Sequence, residues 1–294
     1  MPDFAFDSTD LAVCQRLAYT MRTATAQDAS GMHRTRRTGE GTDFLDFRPY
    51  TPGDDVRRID WTVFARVRQP YVRVLQHETV LFVNFLIDVS RSMAAGQAQS
   101  KAALACRLAC ALAYIGLHKG DRVSAGAFSD RWTALARDLR GPAALPTLVD
   151  ALRRTPLGRG TDLEAATRTF RAQARHRGLA VLISDFLSPI GCQEPVRGLM
   201  ADGFRVLVIQ VLDAVDWGEG LTGFVRLRDS ETDYSTDVEV TSQEIDDYRG
   251  RLRGHVERME AFCRQRGQAY LLASTRDDWG VAVARALRER GVFR

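Results

Sequence analysis

Three segments of the sequence carry oxygen-bearing side chains of the types that bind a cation. The first is Asp88-Val89-Ser90-Arg91-Ser92, in which a carboxylate and two hydroxyls come from alternate positions of a short loop. The other two are Thr161, which follows two glycines, and Asp185, which follows an apolar run. Two carboxylates and three neutral hydroxyls suit a hard divalent cation such as Mg²⁺ or Mn²⁺ that keeps several waters. The candidate metal ligands are therefore Asp88, Ser90, Ser92, Thr161 and Asp185.

The elements that must position these residues are buried strands. The run from Val80 to Ile87 is almost continuously apolar, as expected for a strand covered on both faces, and it ends at Asp88. A second apolar run, Leu179 to Ser184, ends at Asp185. In an open α/β sheet, the loops at the carboxyl ends of neighbouring strands form the crevice where ligands bind. We therefore expect the two carboxylates to lie at one edge of the sheet.

The rest of the chain alternates between strand and helix patterns. A helix capped by Ser100 and a long helix with a Thr241/Glu244 capping box have apolar residues at helical spacing. This alternation predicts an open, mostly parallel α/β sheet with helices on both faces, and a hairpin near 224–240 is inserted at the sheet's edge. The remaining predicted elements are strands at 122–128, 205–212 and 269–273 and helices at 143–154, 162–175, 195–200 and 277–290.

Residues 1–78 differ from the α/β pattern. A short helix is predicted at 11–21, and residues 31–78 are rich in arginine, aspartate, glycine and aromatic residues without helical periodicity. We expect an N-terminal section, 1–78, packed on a main domain, 79–294.

Composition excludes several classes of function. The 41 basic and 37 acidic residues leave a net charge of +4, too small for a nucleic-acid footprint. Five cysteines with no Cys-x-x-Cys pair indicate reduced, mostly buried thiols. The first twenty residues lack the basic region of a signal peptide, and no apolar run reaches the length of a membrane span. The sequence predicts a cytoplasmic protein.

The candidate metal residues resemble the metal-ion-dependent adhesion site of von Willebrand factor A domains. That site consists of Asp-x-Ser-x-Ser, then a threonine after glycine, then an aspartate that ends a later strand. The resemblance implies a von Willebrand factor A-like, Rossmann-like fold. It also implies that Ser90, Ser92 and Thr161 approach the metal directly while Asp88 and Asp185 hold it largely through water. In the family an acidic side chain of a partner commonly fills the open coordination position.

A second resemblance covers nearly the whole chain. Three blocks are similar to the signature of the bacterial family catalogued as domain of unknown function fifty-eight: 39–44 (GEGTDF), 48–61 (RPYTPGDDVRRIDW) and 65–66 (AR). In that family the signature precedes a von Willebrand-like domain, and members are typically encoded beside MoxR-type AAA+ ATPases. The resemblance implies an adaptor that couples such an ATPase to the assembly or maturation of a client protein. Many relatives carry membrane segments ahead of the signature, and this sequence lacks them.

The signature block also has a physical interpretation. Pro52-Gly53 predicts a turn, and the next acidic residues are suited to cap the segment that follows. Ion pairs are expected around an aromatic side chain at the end of the block. Both a docking surface and a structural network that ties the section to the main sheet fit this pattern, and the second is favoured. The residues concerned are Asp54, Asp55, Arg57, Arg58, Asp60 and Trp61.

The leading functional hypothesis is a metal-dependent protein-binding adaptor that is not an enzyme. One alternative is a hydrolase or phosphatase with Asp88 as nucleophile, although Ser90 stands where such enzymes usually have a second acid. The other alternative is a nucleic-acid-binding domain of the same fold, but the net charge of +4 is too small to indicate nucleic-acid binding. If metal binds, we expect Asp88→Ala or Asp185→Ala to remove it with little loss of fold.

Overall fold

The computed structural model describes residues 4–28, 43–76, 80–96, 99–158, 160–188, 192–228 and 235–289. The chain divides into two compact units, one formed by residues 1–20 with 81–294 and the other by residues 21–80. The predicted boundary at 78/79 lies close to the division at 80/81. Residues 1–20, by contrast, group with the sheet unit and not with the N-terminal section.

The larger unit is built on a six-stranded sheet. Its strand order is β10-β7-β6-β3-β4-β5, and every neighbouring pair is parallel except β4 and β5. The predicted open, mostly parallel α/β sheet is therefore confirmed. The strands are β3 (Phe82–Asp88), β4 (Arg122–Phe128), β5 (Trp132–Arg140), β6 (Leu179–Ser184), β7 (Arg205–Leu212) and β10 (Ala269–Ser274).

Helices connect these strands, and several begin at the expected caps. Ser100 accepts a hydrogen bond from the N–H of Ala103, and Thr241 and Glu244 form the capping box. The helices of this unit are α1 (Ser8–Asp28), which extends beyond residue 20, α3 (Lys101–His118), α4 (Leu145–Arg154), α5 (Leu163–Gln173), α6 (Gln193–Ala201), α7 (Ser242–Gln265) and α8 (Trp279–Arg288).

The core lies on both faces of the sheet. Strands β3, β6 and β7 are buried along almost their whole length, as a central strand covered by helices on both sides must be. All five cysteines are free and buried, as expected. Burial raises the pKa of the Cys14, Cys106 and Cys192 thiols to about 12.

Among the described helices, α3 alone is long and apolar enough to cross a membrane by length and composition. The sequence patterns had indicated no such run. In the structure 89% of this helix is buried, where it packs against β3, β4, β7, α4 and α8. Its apolar character is that of a core helix.

Two features differ from the sequence-based expectation. Strand β5 is not indicated by the sequence, because its residues are mostly exposed and its antiparallel pairing with β4 is irregular. The hairpin, β8 (Gly223–Arg228) and β9 (Ser235–Val240), is present but forms its own two-stranded sheet rather than extending the edge of the main one. Its described side chains are largely exposed, so it has little apolar surface to bury against the sheet.

The smaller unit contains its own two-stranded sheet. Strand β1 (Asp43–Pro49) pairs antiparallel with β2 (Tyr71–Gln76), and helix α2 (Trp61–Val67) lies between them in the sequence. Asp60 caps α2 by accepting hydrogen bonds from the N–H groups of Thr62 and Val63. Arg68, with a positive φ of 57°, ends it.

Candidate metal site

Asp88 is fully buried at the carboxyl end of β3. The N–H of Ser90 donates to its Oδ1 over 2.8 Å, and the hydroxyl of Ser184 donates to its Oδ2 over 2.5 Å. Burial raises the pKa of Asp88 to about 6, against the lowering effect of these hydrogen bonds, and the charge of Asp185 adds to the rise. A bound cation would offset both causes of this rise.

The two serine hydroxyls of the loop lie side by side. Ser90 is fully buried, and its Oγ is 3.1 Å from Oγ of Ser92. A short 3₁₀ turn, Arg91–Ala94, follows Ser90 and brings the alternate positions of the loop together. The structure therefore places Asp88, Ser90 and Ser92 in one hydrogen-bonded group.

Asp185 follows the neighbouring strand, β6, and its backbone is held by a chain of polar contacts. The Gln210 side chain donates to the Asp185 carbonyl over 2.7 Å, and the Tyr270 hydroxyl donates to Gln210 over 2.6 Å. The next residue, Phe186, has a positive φ of 51°, and its carbonyl accepts a hydrogen bond from His255. Left-handed backbone at a bulky residue is strained and often occurs at functional sites.

Thr161 lies in the loop before α5, one residue ahead of the N-cap Asp162. Two backbone hydrogen bonds tie this loop to the sheet, from the Gly158 N–H to Val89 over 2.7 Å and from the Asp162 N–H to Ser129 over 2.8 Å. Within the described part of the chain, no hydrogen bond of the Thr161 hydroxyl is found. Arg159, in the same loop, lies outside the described residues.

Lys101, the first residue of α3, is a member of the site that the sequence analysis missed. Its side chain is 1% exposed, and its Nζ is 2.8 Å from Oδ2 of Asp185 and 3.0 Å from Oδ2 of Asp216. Burial lowers the pKa of Lys101, but the two carboxylate charges outweigh it and the net shift is upward. Burial also raises the pKa of Asp216. One predicted metal ligand is thus already paired with an internal cation.

The donor set fits a hard divalent cation. Lys101 pairs with both Asp185 and Asp216, and Asp88 forms no ion pair among the described residues, so a divalent cation would meet net negative charge here. The Ser90 and Ser92 hydroxyls supply neutral oxygens beside Asp88. Among the described residues, no group of three or more Asp, Glu, His or Cys side chains is placed to hold a metal ion. A metal at this site would therefore need the serine hydroxyls as ligands.

Burial argues against one expectation about this site, namely that Asp88 and Asp185 are loop ligands which alanine replaces with little loss of fold. Asp88 is fully buried and Asp185 is 4% exposed, and both accept hydrogen bonds from buried groups. Alanine at 185 would leave the ammonium of Lys101 with one carboxylate fewer in a buried position, which is costly.

The signature block has a different polar network from the one expected. Arg57 and Arg58 form no ion pairs within the described residues, so the predicted pairs around Trp61 are wrong in that respect. The ion pair of the block joins Arg48 and Asp54 over 2.5 Å, because Asp54 closes the Pro52–Gly53 turn where Arg48 reaches it. Residues 39–42 of the signature lie outside the described part of the chain.

The acidic residues of the block cap the local turns and helix. Asp55 caps the short turn Val56–Arg58, as predicted, and Asp60 caps α2. Trp61 is 64% exposed and makes an edge contact with Phe64 at 5.9 Å between ring centroids.

Two of the solved structures that this chain resembles are distant likenesses. The conserved hypothetical protein BatB from Bacteroides thetaiotaomicron is 14% identical, with a TM-score of 0.43 over 70% of this chain and 96% of that chain. The manganese-loaded TRAP protein of Plasmodium vivax is 15% identical, with a TM-score of 0.39 over 70% of this chain and 71% of that one. At these TM-scores the likenesses carry no argument about the site.

Comparison of sequences gives a firmer result. An uncharacterized protein of Mycobacterium tuberculosis, Rv1480, is 33% identical over 270 residues, which cover 90% of this chain and 84% of that protein. Another uncharacterized protein, MAV169 of Mycobacterium avium, is 35% identical over 47% of this chain and 80% of its own length. The family model described as "Protein of unknown function DUF58" matches residues 46–259. The chain belongs to the DUF58 family.

Proposed function

We propose that this protein is a metal-dependent protein-binding adaptor of the bacterial cytoplasm and not an enzyme. Mg²⁺ or Mn²⁺ would bind at Asp88, Ser90 and Ser92, with Thr161 and Asp185 completing the set. The observation that carries the proposal is the pair of buried carboxylates, Asp88 and Asp185, at the carboxyl ends of the neighbouring strands β3 and β6, with the Ser90 and Ser92 hydroxyls beside Asp88. A divalent cation would supply the positive charge that Asp88 receives from no ion pair among the described residues.

The partner follows from the chemistry of such a site. A cation with few protein carboxylates keeps open positions, which an acidic side chain of another protein can occupy. Arg91 lies in the metal loop, where a guanidinium would pair with the same incoming carboxylate. By family resemblance the partner is a MoxR-type AAA+ ATPase or its client, and metal binding would make the association metal-dependent.

The exposed aromatic pair of α2 supports a second contact. Trp61 and Phe64 are 64% and 37% exposed, and large aromatic side chains of this kind are enriched in protein interfaces. We include this pair as a separate docking contact of the adaptor, together with the exposed Arg57 of the signature block. Its contribution would not depend on the metal.

The alternative of a phosphatase is less well supported. A nucleophilic carboxylate needs an oxygen that reaches the substrate, whereas both oxygens of Asp88 accept hydrogen bonds and the residue is fully buried. Turnover of p-nitrophenyl phosphate by the wild type that disappears in Asp88→Asn would reverse this preference.

Calorimetric titration with Mg²⁺ or Mn²⁺ tests the metal. We expect weak saturable binding that Ser90→Ala/Ser92→Ala weakens at least about tenfold, or about 1.4 kcal/mol. The matched control is Ser235→Ala/Thr236→Ala, which removes two exposed hydroxyls from the hairpin. Absence of any uptake by the folded wild type would refute the metal site.

Capture of partners from the native host tests the adaptor role. The immobilised full chain should retain an AAA+ ATPase or a client in Mg²⁺, lose it in chelator, and lose it in Ser90→Ala/Ser92→Ala. The hairpin double variant should behave as the wild type. Recovery of the same partners under all conditions would remove the metal from the mechanism and leave the signature block as the docking surface.

A further inference from the structure

A cavity of about 260 Å³ opens at the amino ends of β3 and β4. Its polar lining includes Asn84 and Ser124, which face each other across the two strands, while Asp88 lies at the other end of β3. Four residues of extended strand separate Asn84 from Asp88, a distance of about 13 Å. The cavity is therefore distinct from the candidate metal site.

Small side chains leave this space unfilled. The cavity is lined by Ser124 of β4 and by Ala134 and Ala136 of β5. Helix α5 ends at Gln173 and so does not extend over the cavity. Further along β4, Gly126 admits the indole of Trp132, because a Cβ there would lie 2.3 Å from that ring. The indole packs against Phe170 at 5.4 Å and forms an aromatic wall of the cavity.

Asn84 provides a hydrogen-bonding group deep in the cavity. It is 8% exposed, and its amide nitrogen makes one long hydrogen bond, 3.4 Å, to the carbonyl of Leu179. Its Oδ1 has no partner among the described residues and is not fully enclosed, so it is open to the cavity. A polar side chain in a buried strand normally has its hydrogen bonds satisfied. This one has bonding capacity left for a ligand.

The mouth of the cavity is positively charged. Arg122, Arg137 and Arg175 line it together with a single carboxylate, Asp138, which gives a net charge of +2 with His176 neutral. Asp138 pairs with Arg122, and Arg137 donates to Gln173 over 3.0 Å. Arg175 has no ion-pair partner in the described part of the chain. An anionic group at the mouth would therefore meet an uncompensated guanidinium.

Hydrogen bonds hold a residue with left-handed backbone at the mouth of the cavity. Asp138 has a positive φ of 54° and lies where the pairing of β4 and β5 shifts register. Its N–H donates to the Ser124 hydroxyl over 3.1 Å, and its carboxylate holds Arg122. Strained positions supported by such contacts recur at ligand sites.

We propose that this cavity is a second ligand site, which binds a small aromatic carboxylate. The ring would lie against Trp132 and Phe170, a polar ring substituent would reach Asn84, and the carboxylate would pair with Arg175. An engineered cavity of about 150 Å³ accommodates benzene, so the larger space here suits two fused rings. This inference does not rest on the proposed metal or adaptor function.

The test uses 6-hydroxy-2-naphthoate as the probe, whose ring hydroxyl would donate to Asn84, and the full chain in the presence of chelator, so that a failure of the metal site cannot affect it. We expect saturable binding by calorimetry. Ala134→Phe fills the cavity from an exposed position and should abolish binding. Thr133→Phe adds the same ring at the adjacent exposed position, which does not line the cavity, and should leave affinity unchanged.

A second pair of variants tests the charged contact. Arg175→Gln should weaken the binding of 6-hydroxy-2-naphthoate about tenfold, as expected for a lost hydrogen bond to a charged group, and should not change the affinity for neutral 6-hydroxy-2-naphthamide. Arg168→Gln, on the exposed face of α5, serves as the control. No binding to the wild type at millimolar probe, or equal binding by wild type and Ala134→Phe, would overturn the proposal.

Discussion

The Nζ atom of Lys101 lies 2.8 Å from Oδ2 of Asp185, so an internal ammonium already contacts the carboxylate that ends β6. The same nitrogen reaches Asp216, beyond the end of β7. With a metal bound, the candidate site would contain two positive charges: the ammonium of Lys101, which belongs to the chain, and the metal ion from solution. Replacing Lys101 separates the effects of these two charges.

Lys101→Met should destabilise the protein by about 3–5 kcal/mol, because it leaves the buried Asp185 and the partly buried Asp216 carboxylates without their shared partner. Urea unfolding measures this loss. Lys119→Met is the matched control, since Lys119 is the only other lysine and is exposed, and it should change stability by less than about 0.5 kcal/mol. Mg²⁺ should also stabilise Lys101→Met more than the wild type. A variant as stable as the wild type would show that the pair contributes little.

Gly158→Ala should weaken metal binding without changing any ligand. A Cβ at this glycine would lie 2.2 Å from the Cβ and Oγ of Ser129, which follows β4, so the loop that carries Thr161 must shift away from Ser129. Gly250→Ala, in α7 with open space around its Cβ position, is the control. We expect at least about a tenfold loss of Mn²⁺ affinity in the first variant only, measured by calorimetry. Equal affinities would show that metal binding does not depend on the position of this loop.

The five thiols should be unreactive in the folded protein. All are buried, and burial raises the pKa of Cys106 and Cys192 to about 12, so at pH 8 they are protonated as well as inaccessible. Titration with Ellman's reagent should detect less than one thiol in buffer and five in guanidinium chloride. Rapid reaction of several thiols under native conditions would contradict the buried positions.

Asp138 should contribute a small pH-dependent stability. Hydrogen bonds from Arg122 lower the pKa of its carboxyl to about 2, below the ordinary value of 3.8. Because the folded-state pKa is the lower one, the contribution is present above about pH 4 and disappears as the pH falls towards 2. Asp138→Asn keeps a residue type that tolerates the positive φ.

The difference in unfolding free energy between wild type and this variant should be about 0.2–1 kcal/mol at pH 6, since the pair is largely exposed, and near zero at pH 2. Chemical unfolding across this pH range measures it. A difference that grew as the pH fell would give the opposite sign and refute the assignment.

The sequence predicts the sheet well where apolar patterns are strong. Strands β6 and β7 begin and end at the predicted residues, because a run of buried apolar side chains bounded by polar loops leaves little freedom. Strand β5 was missed because its side chains alternate weakly between buried and exposed. Its pairing with β4 stabilises it, and that tertiary contact is not visible in a local pattern.

The candidate site was predicted only in part, for a related reason. Asp88, Ser90 and Ser92 are close in sequence, so their proximity could be foreseen from one loop. Lys101 meets partners 84 and 115 residues away, and only the fold brings them together. One signal was available. Two of the 41 basic residues are lysines, and one of them, Lys101, begins a mostly apolar helix.

The burial of α3 has a consequence for biosynthesis. This helix is apolar enough to resemble a membrane segment, yet part of its covering comes from β7 and from α8, which ends at Arg288. During translation its apolar surface therefore stays partly uncovered until α8 has left the ribosome. Nascent chains of this kind are exposed to aggregation and to chaperones that bind apolar helices. Truncation before Trp279 should accordingly yield a product that is recovered mainly in complex with such chaperones.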